Sequence, residues 1–143
     1  MSEQDNMRAV EQVFAEINAH DLGRSAKLYD PGYKFEGPGA PGPLPYDQSL
    51  AYTQGFLNAF PDLHFTLKHK IADGNNVAFT WTATGTHNGP MVTPTGATIP
   101  PTGKKGVVSG CTTYEFKGDK IVASATYWDM VSLLTQLGLM PGM

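Results

Sequence analysis

Few side chains in this sequence could move a proton near neutral pH, and they are scattered. Asp129 follows Tyr127-Trp128, at the end of a run, Lys120 to Trp128, that alternates like a strand. A carboxyl set against Trp128 in an apolar cavity would be desolvated, with a raised pKa suited to general-acid work. Asp129 also stands just before an apolar helical run, Leu133, Leu134 and Leu137, where aspartate is a favoured N-cap. Simple alternation puts Asp129 on the strand face opposite Thr126, and only a bulge at Tyr127-Trp128 would bring it inward. His87, in Gly85-Thr86-His87-Asn88-Gly89, is the second acid/base candidate, because histidine titrates near working pH. The competing reading is a turn histidine bonded to its own loop. Glu36, before a Gly/Pro-rich stretch, either points into a pocket or is solvated.

The remaining chemistry is bounded by what the sequence lacks. His64 and His69 are five apart, on opposite faces of a strand, and His20 and His87 are remote from them. No metal-ligand spacing results, and neither metal nor cofactor is expected. Cys111 is the single cysteine, which rules out an internal disulfide; with no basic neighbour it reads as structural. There is no Gly-x-Ser-x-Gly, and no Gly-rich phosphate loop opens a helix. Tyr33, Tyr52, Phe79, Trp81, Tyr114 and Trp128 are each compatible with a core. Together they favour a cavity whose aromatic walls suit an apolar, polyunsaturated ligand.

These residues must be positioned by a helix-first, strand-later order. Met7, Val10, Phe14 and Ile17 give one buried face to a helix from about Gln4 to Asn18. A second short helix runs to about Tyr29, stopped by Pro31-Gly32, and Tyr33–Glu36 is a short strand. Gly37–Pro45 is a loop. Asp47 caps a third helix, about Gln48 to Phe60, with Leu50, Phe56, Leu57 and Phe60 as core. Leu63, Phe65 and Leu67 alternate as a half-buried strand, Asp73-Gly74-Asn75-Asn76 is a hairpin turn, and Val77, Phe79, Trp81 and Ala83 alternate on the return. Pro90–Gly106 is a second loop. A strand from about Val107 to Phe116, the turn Lys117-Gly118-Asp119, the strand Lys120–Trp128 and a closing helix with Gly138 just past its end complete the chain. Helices followed by antiparallel strands predict an α+β class, with the N-terminal helices on the concave face of a curved sheet.

The 143 residues suffice for one domain, residues 1–143. Net charge is -3 with no basic block, so nucleic acid is not an expected partner. No signal peptide and no apolar run of membrane-spanning length is apparent, so no membrane is expected as a partner. With one cysteine, this fits a cytoplasmic protein.

Phe60-Pro61-Asp62-Leu63 at a helix-to-strand junction, Trp81-Thr82-Ala83-Thr84-Gly85-Thr86-His87-Asn88-Gly89, Pro100-Pro101-Thr102-Gly103, and Gly118-Asp119-Lys120-Ile121 through Gln136-Leu137-Gly138 together resemble the SnoaL-like polyketide cyclases. Those belong to the superfamily sharing the cone-shaped fold of nuclear transport factor two and ketosteroid isomerase. The resemblance spans nearly the whole chain. It implies an α+β barrel with a deep apolar pocket, a homodimer built on the outer sheet face, and cofactor-independent ring closure on a hydrophobic, polyketide-like small molecule. The aldol-type cyclases use an aspartate in the last strand, assisted by a histidine on the neighbouring strand. Without gaps, those positions fall at Thr126 and Thr112. A threonine hydroxyl hydrogen-bonds but does not ionise near neutrality. The loop Pro90–Gly106 looks longer than in the typical member, implying extra cover over the pocket mouth.

Three functions follow from this reading. In the first, the pocket folds a polyene and polarises a carbonyl for a cyclisation such as an intramolecular [4+2] cycloaddition. In the second, Asp129 or Glu36 serves an isomerase, aldol, dehydratase or epoxide-opening reaction. In the third, the cone is a non-catalytic binding module.

Overall fold

The computed structural model describes residues 2–92 and 96–139. Helix α1 (Glu3–Asn18) starts at Ser2, whose hydroxyl accepts the Asp5 N–H while the Asp5 carboxylate accepts the Ser2 N–H. This reciprocal cap satisfies two end donors. Val10 and Phe14 are buried on its inner face.

The expected second helix is a single 3-10 turn, Ala26–Leu28, and Tyr29 already begins β1 (Tyr29–Glu36). Pro31 does not stop the element as expected. Strand β1 lies at the sheet edge, and its register shifts between Tyr29 and Lys34. An edge strand tolerates a residue with no N–H to donate. In helix α2 (Tyr46–Ala59) the N-cap position belongs to Pro45, which makes no side-chain cap bond, and Asp47 lies inside the first turn. There its negative charge faces the helix's positive end.

Strands β2 (His64–Asp73) and β3 (Asn76–Thr86) form the expected hairpin around Gly74. Strand β3 alternates strictly, with Val77, Phe79, Trp81 and Ala83 all buried. A small hairpin, β4 (Met91–Val92) and β5 (Thr98–Ile99), occupies part of the stretch read as loop; residues 93–95 of that stretch lie outside the described residues. Strands β6 (Lys105–Lys117) and β7 (Lys120–Trp128) then pair antiparallel, and α3 (Met130–Gln136) closes the order.

The five-stranded sheet runs β1-β7-β6-β3-β2. It is mixed: β1 pairs parallel to β7, where the sequence suggested antiparallel strands throughout. Hairpin turns dictate the β2–β3 and β6–β7 pairs, but more than half of the chain separates β1 from β7, so no turn sets their relative direction. Register shifts in the β2–β3 and β6–β7 pairs mark bulges that bend a sheet. The concave face packs against α1 in one core with Phe79, Trp81, Tyr114 and Phe116, and a second cluster joins the end of α2 to α3 through Phe60, Leu133 and Leu137. This is the expected α+β cone. Asp62, at the α2–β2 junction, accepts the Thr86 N–H at 2.6 Å and its hydroxyl at 2.9 Å. Those bonds hold its carboxyl below the usual carboxylate range. No helix among the described residues is long and apolar enough to cross a membrane.

Candidate active-site cavity

Between the concave face and helices α1 and α2 lies a largely apolar cavity of about 160 Å³. Five of the six aromatic residues singled out from sequence line it: Tyr33, Tyr52, Trp81, Tyr114 and Trp128. Phe79 does not; it is fully buried and stacks on Phe14 at 6.0 Å. It occupies an inward position of β3 deeper in the core, already filled by the α1 side chains.

Two adjacent strands deliver the polar groups. Thr112 on β6 and Thr126 on β7 are direct cross-strand partners, and both line the cavity. Their hydroxyls hydrogen-bond each other. Trp81, on the other neighbour of β6, donates its indole N–H to the Thr112 hydroxyl at 2.9 Å. That contact depends on Gly110, the cross-strand partner of Trp81: a Cβ there would lie 2.5 Å from the indole ring and 2.7 Å from the Tyr127 carbonyl. With the Trp81 N–H directed at Thr112, a consistent donor order runs from Trp81 to Thr112 to Thr126. The Thr126 proton is then free for an acceptor in the cavity.

Along the same face of β7, Ser124 precedes Thr126 by two residues and also lines the cavity. Tyr33 is held by Ser124 and Ser49, yet burial dominates and pushes its phenol up to about 12. Burial likewise raises Tyr114, whose bond to Ser124 only partly offsets it. Tyr52 is pushed up to about 12 by burial, against a hydrogen bond with Trp128, and donates its own proton to the Pro38 carbonyl at 2.7 Å. At neutral pH these phenols are protonated donors, not bases.

The two ionisable candidates lie elsewhere. Asp129 is exposed, does not line the cavity, and accepts the Ser132 N–H at 2.9 Å as the N-cap of α3. No bulge turns it inward. His87 is neither a surface residue nor a cavity residue: it is fully buried against Phe60, with ring centroids 5.4 Å apart. Its Nδ1 accepts the Thr102 N–H at 3.2 Å and lies 3.0 Å from the Thr102 hydroxyl. The proton therefore resides on Nε2. Burial lowers the His87 pKa, with the Gly89 backbone opposing it, and Nε2 is buried without a hydrogen-bond partner among the described residues. His87 thus fastens the end of β3 to the segment before β6. Among the described residues of 90–105, none lines the cavity; Met91 packs on the α2–α3 cluster. Glu36 is exposed on the edge strand.

Among the polar wall residues that sequence reasoning missed are Ser124, Ser49, Tyr46 and Glu16. The spacing Ser124-x-Thr126-x-Trp128 carried a signal for Ser124, since alternate strand residues share a face. Glu16 is three residues after Val13 and belongs to the same helix face. Among the described residues no three His, Cys, Asp or Glu side chains are grouped as a metal site requires.

A family model described as SnoaL-like polyketide cyclase matches residues 5–137. No curated protein matches the chain. Among solved structures, AclR of Streptomyces galilaeus, a proposed hydroxylase, superposes with a TM-score of 0.83 at 25% identity over 99% of this chain and 86% of that one. IdmH of Streptomyces antibioticus, a proposed polyketide cyclase, does so with 0.76 at 26%, over 94% and 99%. A proposed polyketide cyclase from Acidithiobacillus ferrooxidans gives 0.75 at 27%, over 96% and 98%.

Proposed function

The chain belongs to the SnoaL-like polyketide cyclase family, and from that premise we propose that it closes a ring on a hydrophobic, polyketide-like substrate by shape and neutral hydrogen bonding. The observation that carries this reading is the hydrogen-bonded string Trp81–Thr112–Thr126, ending in a hydroxyl on the wall of an aromatic cavity. A substrate carbonyl that accepts the Thr126 proton is polarised, and an alkene conjugated to it becomes a better partner for a diene folded against the aromatic walls. In an intramolecular [4+2] closure two carbon–carbon σ bonds form, three π bonds become one, and no atom is gained or lost. Holding the two reacting ends together removes up to about 7–11 kcal/mol of barrier. The hydroxyl adds about 1–3 kcal/mol, less than a complete oxyanion hole.

The acid/base alternative resting on Asp129 has its carboxylate exposed and committed to a helix cap. The binding-module alternative has in its favour only that the fold can be used without catalysis. The reading takes residues 1–143 as one functional domain, supported by the match over residues 5–137. It includes a homodimer on the convex sheet face, where Ile71 and Tyr127 are 59% and 62% exposed. Sedimentation would then give a mass twice the 15.4 kDa of the chain, and a monomer at micromolar concentration would remove that part.

The test is turnover of a linear polyene ketone bearing a diene and an enone, followed by loss of diene absorbance and by the mass of the product. The expected product is isomeric with its substrate, and the rate is nearly flat between about pH 6 and 8, because no group needs to change protonation. A bell-shaped profile abolished by Asp129→Asn would overturn the proposal in favour of acid/base cyclisation.

A further inference from the structure

At the tyrosine end of the cavity, α1 brings a carboxylate into the wall. Glu16 is only 7% exposed and lines the cavity. Its Oε2 accepts the Ser25 hydroxyl and, at 3.2 Å, the Gln12 side-chain amide. Ser25 is set in place by the 3-10 turn, where the Leu28 N–H donates to its carbonyl at 2.9 Å. The other carboxylate oxygen, Oε1, takes no hydrogen bond from the described residues, and no lysine, arginine or histidine among them pairs with Glu16. Tyr29 and Tyr46 line the same cavity, and both phenols are pushed up, first by burial and to a lesser degree by the Glu16 charge.

Glu16 Oε1 is not sealed off from the cavity, so a ligand that displaces solvent from it must bring a donor in return. Ser25 and Gln12 supply one oxygen. The second is left for whatever fills the cavity. We propose that Glu16 Oε1 anchors a hydrogen-bond donor, a hydroxyl or a protonated amine, carried by an apolar ligand whose carbonyl lies at the Thr126 hydroxyl. This rests on reading the cavity as the substrate site. The cavity is then bipolar: Thr126 donates in one region and Glu16 accepts in the other. A ligand with matching groups enters in one orientation, and one lacking the donor leaves Glu16 without a partner.

The experiment uses the full chain and four probes: methyl ω-hydroxydecanoate, its ω-methoxy ether, methyl ω-aminodecanoate, and plain methyl decanoate. Binding is read from the fluorescence of Trp81 and Trp128, both of which line the cavity. The wild type is expected to bind the hydroxy and amino esters about tenfold more tightly than the ether or the plain ester, the scale of one hydrogen bond to a charged acceptor. Glu16→Leu abolishes that preference. Glu16→Gln keeps part of it for the hydroxyl and loses it for the amine, and serves if the leucine variant does not fold. Thr126→Val weakens all four esters alike, through their shared carbonyl. Equal binding of all four probes by the wild type would overturn the anchor and leave the cyclase cavity standing. Binding of none would overturn both. A preference that survives Glu16→Leu would overturn the assignment to Glu16.

Discussion

Trp81 donates to Thr112 inside the protein, so Thr112 can be tested apart from the chemistry. Thr112→Val keeps the shape but leaves a buried indole N–H without an acceptor, which costs about 1–3 kcal/mol of stability. Thr112→Ser restores the acceptor and most of that loss; a thermal or urea unfolding series reads both. Thr126→Val is expected to lower kcat/KM by roughly ten- to a hundredfold, the scale of one neutral hydrogen bond to the polarised carbonyl and below that of an oxyanion-hole donor, and an unchanged kcat/KM would remove Thr126 from the reaction. At this scale the sequence was legible for Thr112 and Thr126 only through resemblance, since two threonines in alternating strands carry no chemical signature of their own. It was silent about Glu16, because a glutamate on a helix normally faces solvent. The fold makes it an interior group, with Ser25, nine residues on at the start of the 3-10 turn, hydrogen-bonded to its carboxylate.

Elements were legible where a local pattern specified them. The β2–β3 hairpin, the strict alternation of β3, and the β7–α3 junction follow from turn chemistry, period and capping. The capping role of Asp129 gives a direct check. Asp129→Ala should cost about 1 kcal/mol and lower Tm by about 3–6 °C, while Asp129→Asn, which also caps, should lose much less. If alanine and asparagine destabilise equally, the cap is not what Asp129 contributes. Elements were misjudged where a distant neighbour intervened. Pro31 looked like a stop but sits in an edge strand, and Asp47 looked like a cap although Pro45 takes that position two residues earlier.

For the molecule as a whole, the buried titratable groups set a pH window. In the unfolded chain His87 takes up a proton near its ordinary 6.5, whereas burial resists that proton in the fold. The unfolded state then binds more protons, and stability falls as pH drops below about 6.5. Asp62, held low by Thr86, adds a further loss as pH falls through the carboxylate range. On the alkaline side Tyr33 and Tyr52 keep their protons until about 12, while the unfolded phenols lose theirs near 10. Stability therefore falls as pH rises from 10 towards 12. Tm measured against pH should show a plateau between these limbs, and a Tm still rising above pH 10 would contradict the burial of both phenols.

The sequence by itself determined the α+β class and most of the order of elements, because periodicity, turns and caps act between residues close in the chain, and its resemblance to known sequences carried the family. The tertiary structure decided which polar groups share the cavity. Glu16, Ser49, Thr112 and Thr126 come from four different elements and meet only when the sheet curves around the helices. The same closure placed His87 under the segment before β6 and left Asp129 outside. Such encounters depend on register and curvature summed over the whole sheet, which no local stretch of sequence encodes.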